Sequence, residues 1–261
     1  MVCSLEAPYG YSKRIFNFAL CAELANVCFM FCFVGIGAKD AIETSASPVK
    51  ELPIYNVKTE EKKVALTFDC AWSADDIPQI LEVLEKNNIK ATFFLVGSWV
   101  DKYPEAVKQI AQKGHDVANH SDTHAHVNNI SYEENIKEIQ DCSKKIEKLT
   151  GKKTTLYRGP YGEYNDTVIK AAKAQNHEVI QWNIDTLDWK SLTGEEMIER
   201  IEKNLKSGSI LLLHNGTKHT AESLQGIIDF IKKEGYEMVP VSELIYKENY
   251  TINSQGEQIK K

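Results

Sequence analysis

Val64-Ala65-Leu66-Thr67-Phe68 is a short apolar run rich in strand formers, and Ile77, Ile80, Leu81 and Leu84 follow it at helical spacing. Ala91-Thr92-Phe93-Phe94-Leu95-Val96 reads as a second buried strand, with a helix opened by Pro104 and closed by Gly114 after it. Val117 and Ala118 suggest a third short strand. Ser131 and Glu134 form a capping-box signature ahead of Ile136, Ile139, Cys142, Ile146 and Leu149 on one helical face, which makes Cys142 a core residue. Next come strand Leu156-Tyr157, helix Asp166 to Ala174, strand Val179 to Ile184, and helix Thr193 to Leu205 with Thr193 and Glu196 as a second capping box. Strand Ile210 to Leu213 precedes a helix carrying Leu224, Ile227, Ile228 and Ile231 that stops at Gly235, and strand Met238-Val239 and a short helix around Leu244 close the series. About seven such alternations predict parallel strands wrapped by helices, an α/β fold whose length suits a closed or nearly closed barrel, with an open doubly wound sheet as the fallback. No glycine-rich phosphate loop follows a strand, which counts against a nucleotide-binding sheet.

The 261 residues have room for one sizeable domain and short extensions. A net charge of -6 without a long Lys/Arg run gives no reason to expect a nucleic-acid partner. Cys3, Cys21, Cys28 and Cys32 crowd the N-terminus, leaving Cys70 and Cys142, and no disulfide is expected in the domain. Lys13 and Arg14 precede a largely apolar run from Ile15 to about Ala38, followed by Lys39 and Asp40. Residues 1–38 therefore read as a signal peptide or an N-terminal membrane anchor, with everything after them exported, and membrane contact is confined to this segment. A span of about 20 residues favours an anchor, whereas Asn17, Glu23 and Asn26 weaken a stable membrane helix. Residues 39–62 read as a linker, 63–247 as the folded domain and 248–261 as a flexible tail. A monomer is expected.

In a parallel barrel the reactive groups sit at the C-terminal strand ends. The first strand here ends in Asp69, the third in His120 with His124 just beyond, Leu156-Tyr157 in Arg158, the Val179 strand in Asp185 and Asp188, and the Ile210 strand in His214. One such residue reads as a structural cap, but the same arrangement on five strands points to a site. The i, i+4 spacing of His120 and His124 on a helical turn puts both imidazoles on one face, where they can chelate one ion. His126 is a weaker substitute, and His115, His177 and His219 read as surface or helix-end residues.

Thr67-Phe68-Asp69, His120-Ser121-Asp122-Thr123-His124, Arg158-Gly159-Pro160-Tyr161-Gly162, Asp185-Thr186-Leu187-Asp188-Trp189 and Leu212-Leu213-His214 resemble, in order, the five motifs of the polysaccharide deacetylase family. This family is also called the NodB homology domain or carbohydrate esterase family 4. The resemblance covers about Lys62 to Leu244 and implies a single catalytic domain with a distorted (β/α) barrel. It also implies a metal-dependent hydrolase that removes N-acetyl groups from amino sugars of a cell-wall polysaccharide, peptidoglycan or a chitin-like oligosaccharide. The implied ion is zinc, with cobalt or another divalent ion as an alternative. By this resemblance His120 and His124 bind the metal, Asp69 takes a proton from water, Arg158 holds Asp69 ionised, and His214 protonates the leaving amine. The Tyr161 N–H joins the oxyanion site, one of Asp185 and Asp188 pairs with Arg158 or His214, and Trp189 walls the acetyl pocket. Pro160, Tyr161 and Trp72 complete the expected substrate contacts.

The first motif departs from the pattern, since Cys70-Ala71 replaces the family's second Asp and its Gly. Three readings of the third metal ligand compete. Asp75 or Asp76 reaches back from the same loop, Cys70 binds as a thiolate, or two histidines, Asp69 and water suffice. Asp75 is favoured, and for Cys70 the role of a small buried residue is preferred to the thiolate. The departure keeps two other functions open, a carbohydrate-binding protein with a degenerate deacetylase site and a metal amidase acting on a non-sugar amide.

Overall fold

The computed structural model describes residues 51–261. The expected export segment, residues 1–38, lies outside them, as does the first half of the expected linker, residues 39–50. The elements are β1 (Asn56–Val57), β2 (Lys63–Cys70), α1 (Ile77–Lys86), β3 (Thr92–Leu95), α2 (Gly97–Lys102), α3 (Pro104–Gln112), β4 (Asp116–Asn119), α4 (Tyr132–Thr150), β5 (Leu156–Tyr157), α5 (Asp166–Ala174), β6 (Glu178–Val179) and β7 (Ile184–Asp185). They continue with α6 (Gly194–Asn204), β8 (Ile210–His214), α7 (Thr220–Lys233), β9 (Glu237–Met238), α8 (Val241–Leu244), β10 (Tyr250–Ile252) and β11 (Glu257–Lys260). Both capping boxes form, Ser131 with Glu134 on α4 and Thr193 with Glu196 on α6.

Seven parallel strands in the order β6-β5-β4-β3-β2-β8-β7 make a curled half-barrel, and β9 pairs with the start of β2. β2 is the axis of this sheet and is buried along nearly all its length. Its alternation decides where each side chain goes. Val64, Leu66, Phe68 and Cys70 join the apolar layer under the helices, where Phe68 stacks on Phe93 at 5.0 Å. Ala65 faces the inner cluster with Phe94, Ala118, Leu156 and Ile210, and Thr67 and Asp69 continue that inner face toward the rim. Cys70 and Cys142 are both free and buried.

The strand expected from Val179 to Ile184 is two strands on opposite edges of the sheet. β6 ends at Val179; the chain then crosses the open seam through Gln181 and Trp182 and pairs with β8 from Asn183, whose N–H reaches Ile210 O at 3.2 Å. The run Val179-Ile180-Gln181-Trp182-Asn183-Ile184 is of strand length and carries no glycine or proline to mark such a crossing. Helix α2 was not expected either.

Residues 54–57 belong to the domain, not to a linker. Ile54 donates to Val179 O and accepts from Gln181 N–H beside β6, while Val57 donates to Gly208 O at the entry to β8. Gly208 allows this approach: at φ +79° it lies so close that a Cβ there would meet Val57 O at 1.7 Å. The expected tail is also ordered. β10 and β11 form an antiparallel hairpin, and β11 pairs in parallel with β1. Polarity made this segment look loose, but Gln258 is fully buried and bonds both Tyr246 N–H (2.9 Å) and Tyr246 O (2.7 Å). Gln258→Leu strands both groups and is expected to lower stability by about 1–3 kcal/mol, read as a lower urea midpoint. An unchanged midpoint would mean that the hairpin contributes nothing to the fold.

Candidate active site

Asp69, the last inward-facing residue of β2, accepts a hydrogen bond from Arg158 Nη1 at 2.6 Å. Arg158 follows β5 and is fully buried. Its Nη1 also donates to Thr67 Oγ1 (2.9 Å), Nε to Ile180 O (3.3 Å) and Nη2 to Gln181 O (3.1 Å). Phe94 and Trp182 cover the guanidinium at 4.0 and 5.3 Å. Burial pushes the Asp69 carboxyl up, but the charge and hydrogen bond of Arg158, with a further contribution from His214, outweigh it and hold Asp69 ionised, below its ordinary range.

His120 leaves β4 with Nδ1 2.8 Å from Arg158 O. A carbonyl only accepts, so Nδ1 carries the proton and Nε2 presents its lone pair. That nitrogen faces Asp69 Oδ2 at 3.6 Å. Burial keeps His120 neutral, and burial followed by the neighbouring His120 lowers His124 to about 4. The two rings meet edge to face at 5.2 Å. They are not on a helical turn as their spacing suggested. Ser121 and His124 take positive φ in a loop, Ser121 Oγ accepts the His124 N–H (3.1 Å), and Glu138 of α4 accepts Asp122 and Thr123 N–H at 2.8 Å each.

Two neutral imidazoles beside an ionised carboxylate, with acceptor atoms facing each other, are the donor chemistry of a divalent cation. Among the described residues, no three imidazole, thiol or carboxylate groups form a complete ligand cluster. Asp75, the expected third ligand, is exposed and does not line the pocket, because its carboxylate accepts from Ser73 Oγ at 2.6 Å in a local turn. Asp76 instead accepts the Gly216 N–H at 2.7 Å and ties its loop to the one after β8. Cys70 lies on the helix-facing side, with its thiol pushed up by burial and then by the charges of Asp69 and Asp76.

His214 is the register partner of Asp69 across β2 and β8. Its Nδ1 donates to Asp188 at 2.8 Å, and Asp188 also accepts from His214 N–H and Thr220 Oγ1, both at 2.6 Å, and from Trp189 N–H at 2.8 Å. Burial alone would lower the His214 pKa, but the Asp188 hydrogen bond and charge, with help from Asp69 and Asp185, raise it above 6.5. Of the two aspartates left open by the sequence, Asp188 therefore pairs with His214, and neither pairs with Arg158.

Asp69, Trp72, His120, His124, Tyr161, Asp185, Trp189 and His214 all line one pocket of about 610 Å³. Trp72, Tyr161 and Trp189 are 48%, 59% and 49% exposed, which leaves aromatic faces open at its mouth. Trp72 lies over His214 at 5.3 Å, and Tyr161 stacks on His126 at 4.2 Å. Pro160 is buried beneath the rim and is not a lining residue. Sequence reasoning missed Thr67, Trp182 and Thr220. The period-two phase of β2 places Thr67 with Asp69, but no sequence signal marks the other two.

The sequence model described as polysaccharide deacetylase matches residues 56–180. A peptidoglycan-N-acetylglucosamine deacetylase of Bacillus cereus is 37% identical over 196 residues, covering 73% of this chain and 92% of that protein. The peptidoglycan-N-acetylmuramic acid deacetylase PdaC of Bacillus subtilis is 35% identical over 188 residues, covering 72% of this chain but 40% of that one. Among solved structures, a carbohydrate esterase family 4 pseudoenzyme from Bacillus anthracis superposes with a TM-score of 0.72 at 35% identity, covering 74% of this chain and 68% of that one. A mutant of it is described as having restored enzymatic activity. With the half-barrel, the rim residues and these matches together, the chain belongs to the polysaccharide deacetylase family.

Proposed function

We propose that this chain hydrolyses the N-acetyl amide of amino sugars in a cell-wall glycan and releases acetate, acting outside the cytoplasm. The observation that carries this reading is the pairing across β2 and β8 of a carboxylate held ionised, Asp69, with an imidazole whose pKa is raised, His214. Environments that push two titratable groups in opposite directions mark a base and an acid. Glycan binding alone requires neither.

Asp69, fixed by Arg158, takes a proton from the attacking water. His214, with Nδ1 committed to Asp188, gives its other proton to the departing amine. The Tyr161 N–H, which has no backbone partner among the described residues, supports an oxyanion role. Trp189 and Leu212 offer an apolar wall for the acetyl methyl. His120 and His124, with Asp69 beside them, would hold a divalent ion such as zinc, which when bound supplies Lewis acidity to water and carbonyl. A second reading, a glycan-binding protein without turnover, is favoured by one observation, Cys70 where the family's second Asp is expected.

Asp69→Asn and His214→Ala are each expected to lower kcat by about 10²–10⁴-fold, measured on folded protein as acetate released from N-acetylated chitooligosaccharides and peptidoglycan with zinc or cobalt added. A wild-type chain that binds these glycans but releases no acetate would establish the second reading.

His214 must be protonated to act and its pKa is raised, so activity is expected to persist above pH 6.5 before falling. Asp188→Asn removes the stabilising charge and should move that alkaline limb to lower pH; a limb that stays in place would exclude His214 as the acid.

Calorimetric zinc affinity should fall in His124→Ala and remain unchanged in Asp75→Ala. The reverse pattern would restore Asp75 as a ligand.

A further inference from the structure

His120 and His124 meet across a loop whose backbone is strained. Ser121 at φ +64° and His124 at φ +61° both lie in the left-handed region, where a residue with a Cβ meets its own carbonyl. Two such residues three positions apart hold that conformation only if their surroundings over-determine it.

The surroundings do so. Each backbone N–H from Ser121 to His124 is taken by a side chain. Asn119 Oδ1 accepts the Ser121 N–H at 2.9 Å and Ser121 Oγ accepts the His124 N–H at 3.1 Å, both from within the loop or its strand. The two N–H groups between them go to α4. Glu138 Oε2 accepts both Asp122 and Thr123 N–H at 2.8 Å, and Oε1 accepts the Thr123 hydroxyl at 2.9 Å. Opposite α4, the N–H groups of Gly97 and Ser98 donate to the carbonyls of Ser121 (2.9 Å) and Asp122 (2.8 Å). Lys145, two turns beyond Glu138 on α4, pairs with the Asp122 carboxylate at 2.6 Å. Glu138 does not line the pocket, so whatever it does there it does through the loop.

We propose that Glu138 is a positioning residue, whose carboxylate sets the loop shape that brings His120 and His124 to one divalent ion. An ionised acceptor on two adjacent N–H groups is a stronger brace than a neutral one, and groups that orient a metal-binding imidazole contribute to affinity without touching the ion. Without Glu138 the ion has to order the strained loop as it binds. The inference deepens the deacetylase reading above and rests on it only for the ion.

The test uses the full chain and three variants, Glu138→Ala, Glu138→Asp and Glu138→Gln. Alanine removes the brace, aspartate keeps its charge but withdraws it by one methylene, and glutamine keeps an oxygen within reach of both N–H groups. Alanine and glutamine are also good helix formers, so α4 is preserved in both. The calorimetric zinc dissociation constant is expected to rise by about 10–100-fold in Glu138→Ala and Glu138→Asp and to stay near wild type in Glu138→Gln. In metal-free protein, hydrogen exchange at the Ser121 and His124 amides, which Glu138 does not touch, should quicken by about tenfold or more in the same two variants. Unchanged zinc affinity in Glu138→Ala and Glu138→Asp overturns the assignment, as does unchanged exchange at those two amides or a wild type that takes up no zinc. Equal losses in all three variants would make charge rather than loop shape the cause, and overturn it too. Neither readout needs turnover, so a chain that shows both effects and releases no acetate keeps the role of Glu138 and loses the deacetylase reading.

Discussion

A guanidinium fully removed from water sits between two edges of this sheet. Arg158 binds Asp69 and Thr67 on the central strand and the carbonyls of Ile180 and Gln181, where β6 has ended and β7 has not begun. These carbonyls lack strand partners because the half-barrel does not close there. Removing one partner of a buried ion pair costs about 3–5 kcal/mol, since the other charge is left uncompensated. The arginine thus completes the seam and fixes the carboxylate that faces the pocket. Ring faces from Phe94 and Trp182 fill its two sides, so no water is needed to solvate the charge.

From that fixed carboxylate the rest of the rim follows through register. Asp69 lies beside His214 on β8, and Asp188 holds His214 through two hydrogen bonds while Thr220 anchors Asp188 in turn. On the other side, the carbonyl of Arg158 fixes the His120 tautomer. One residue therefore orients both the carboxylate and the first imidazole. A ligand-binding imidazole normally has its second nitrogen held in this way.

The loop after β2 departs from the family, and its geometry has its own logic. Cys70 extends the strand alternation into the helix-facing layer, and the loop beyond it is fastened to the β8–α7 connection by Asp76 on Gly216 and by Asn215 on Ser73. Gly216 at φ +69° lets these loops approach, since a Cβ there would meet Trp72 Cβ at 3.0 Å. The fastening lays Trp72 over His214 and keeps Asp75 turned to solvent.

The sequence by itself determined the alternation of strands and helices, both capping boxes, and the rim positions of Asp69, His120, Arg158, Asp185 and His214. These follow from local periodicity and from the rule that parallel strands present their ends on one side. Only the tertiary structure decided that Val179 to Ile184 divides between two sheet edges, that residues 54–57 and 250–260 pair with each other, and that Asp188 rather than Asp185 serves His214. Strand period reports which face a residue takes, but not which distant strand supplies its partner. Hydrogen-bond partners in an open seam are set by residues 22 to 91 positions away, and the tie between the two rim loops by residues 140 apart, and those reach each other only when the chain has folded.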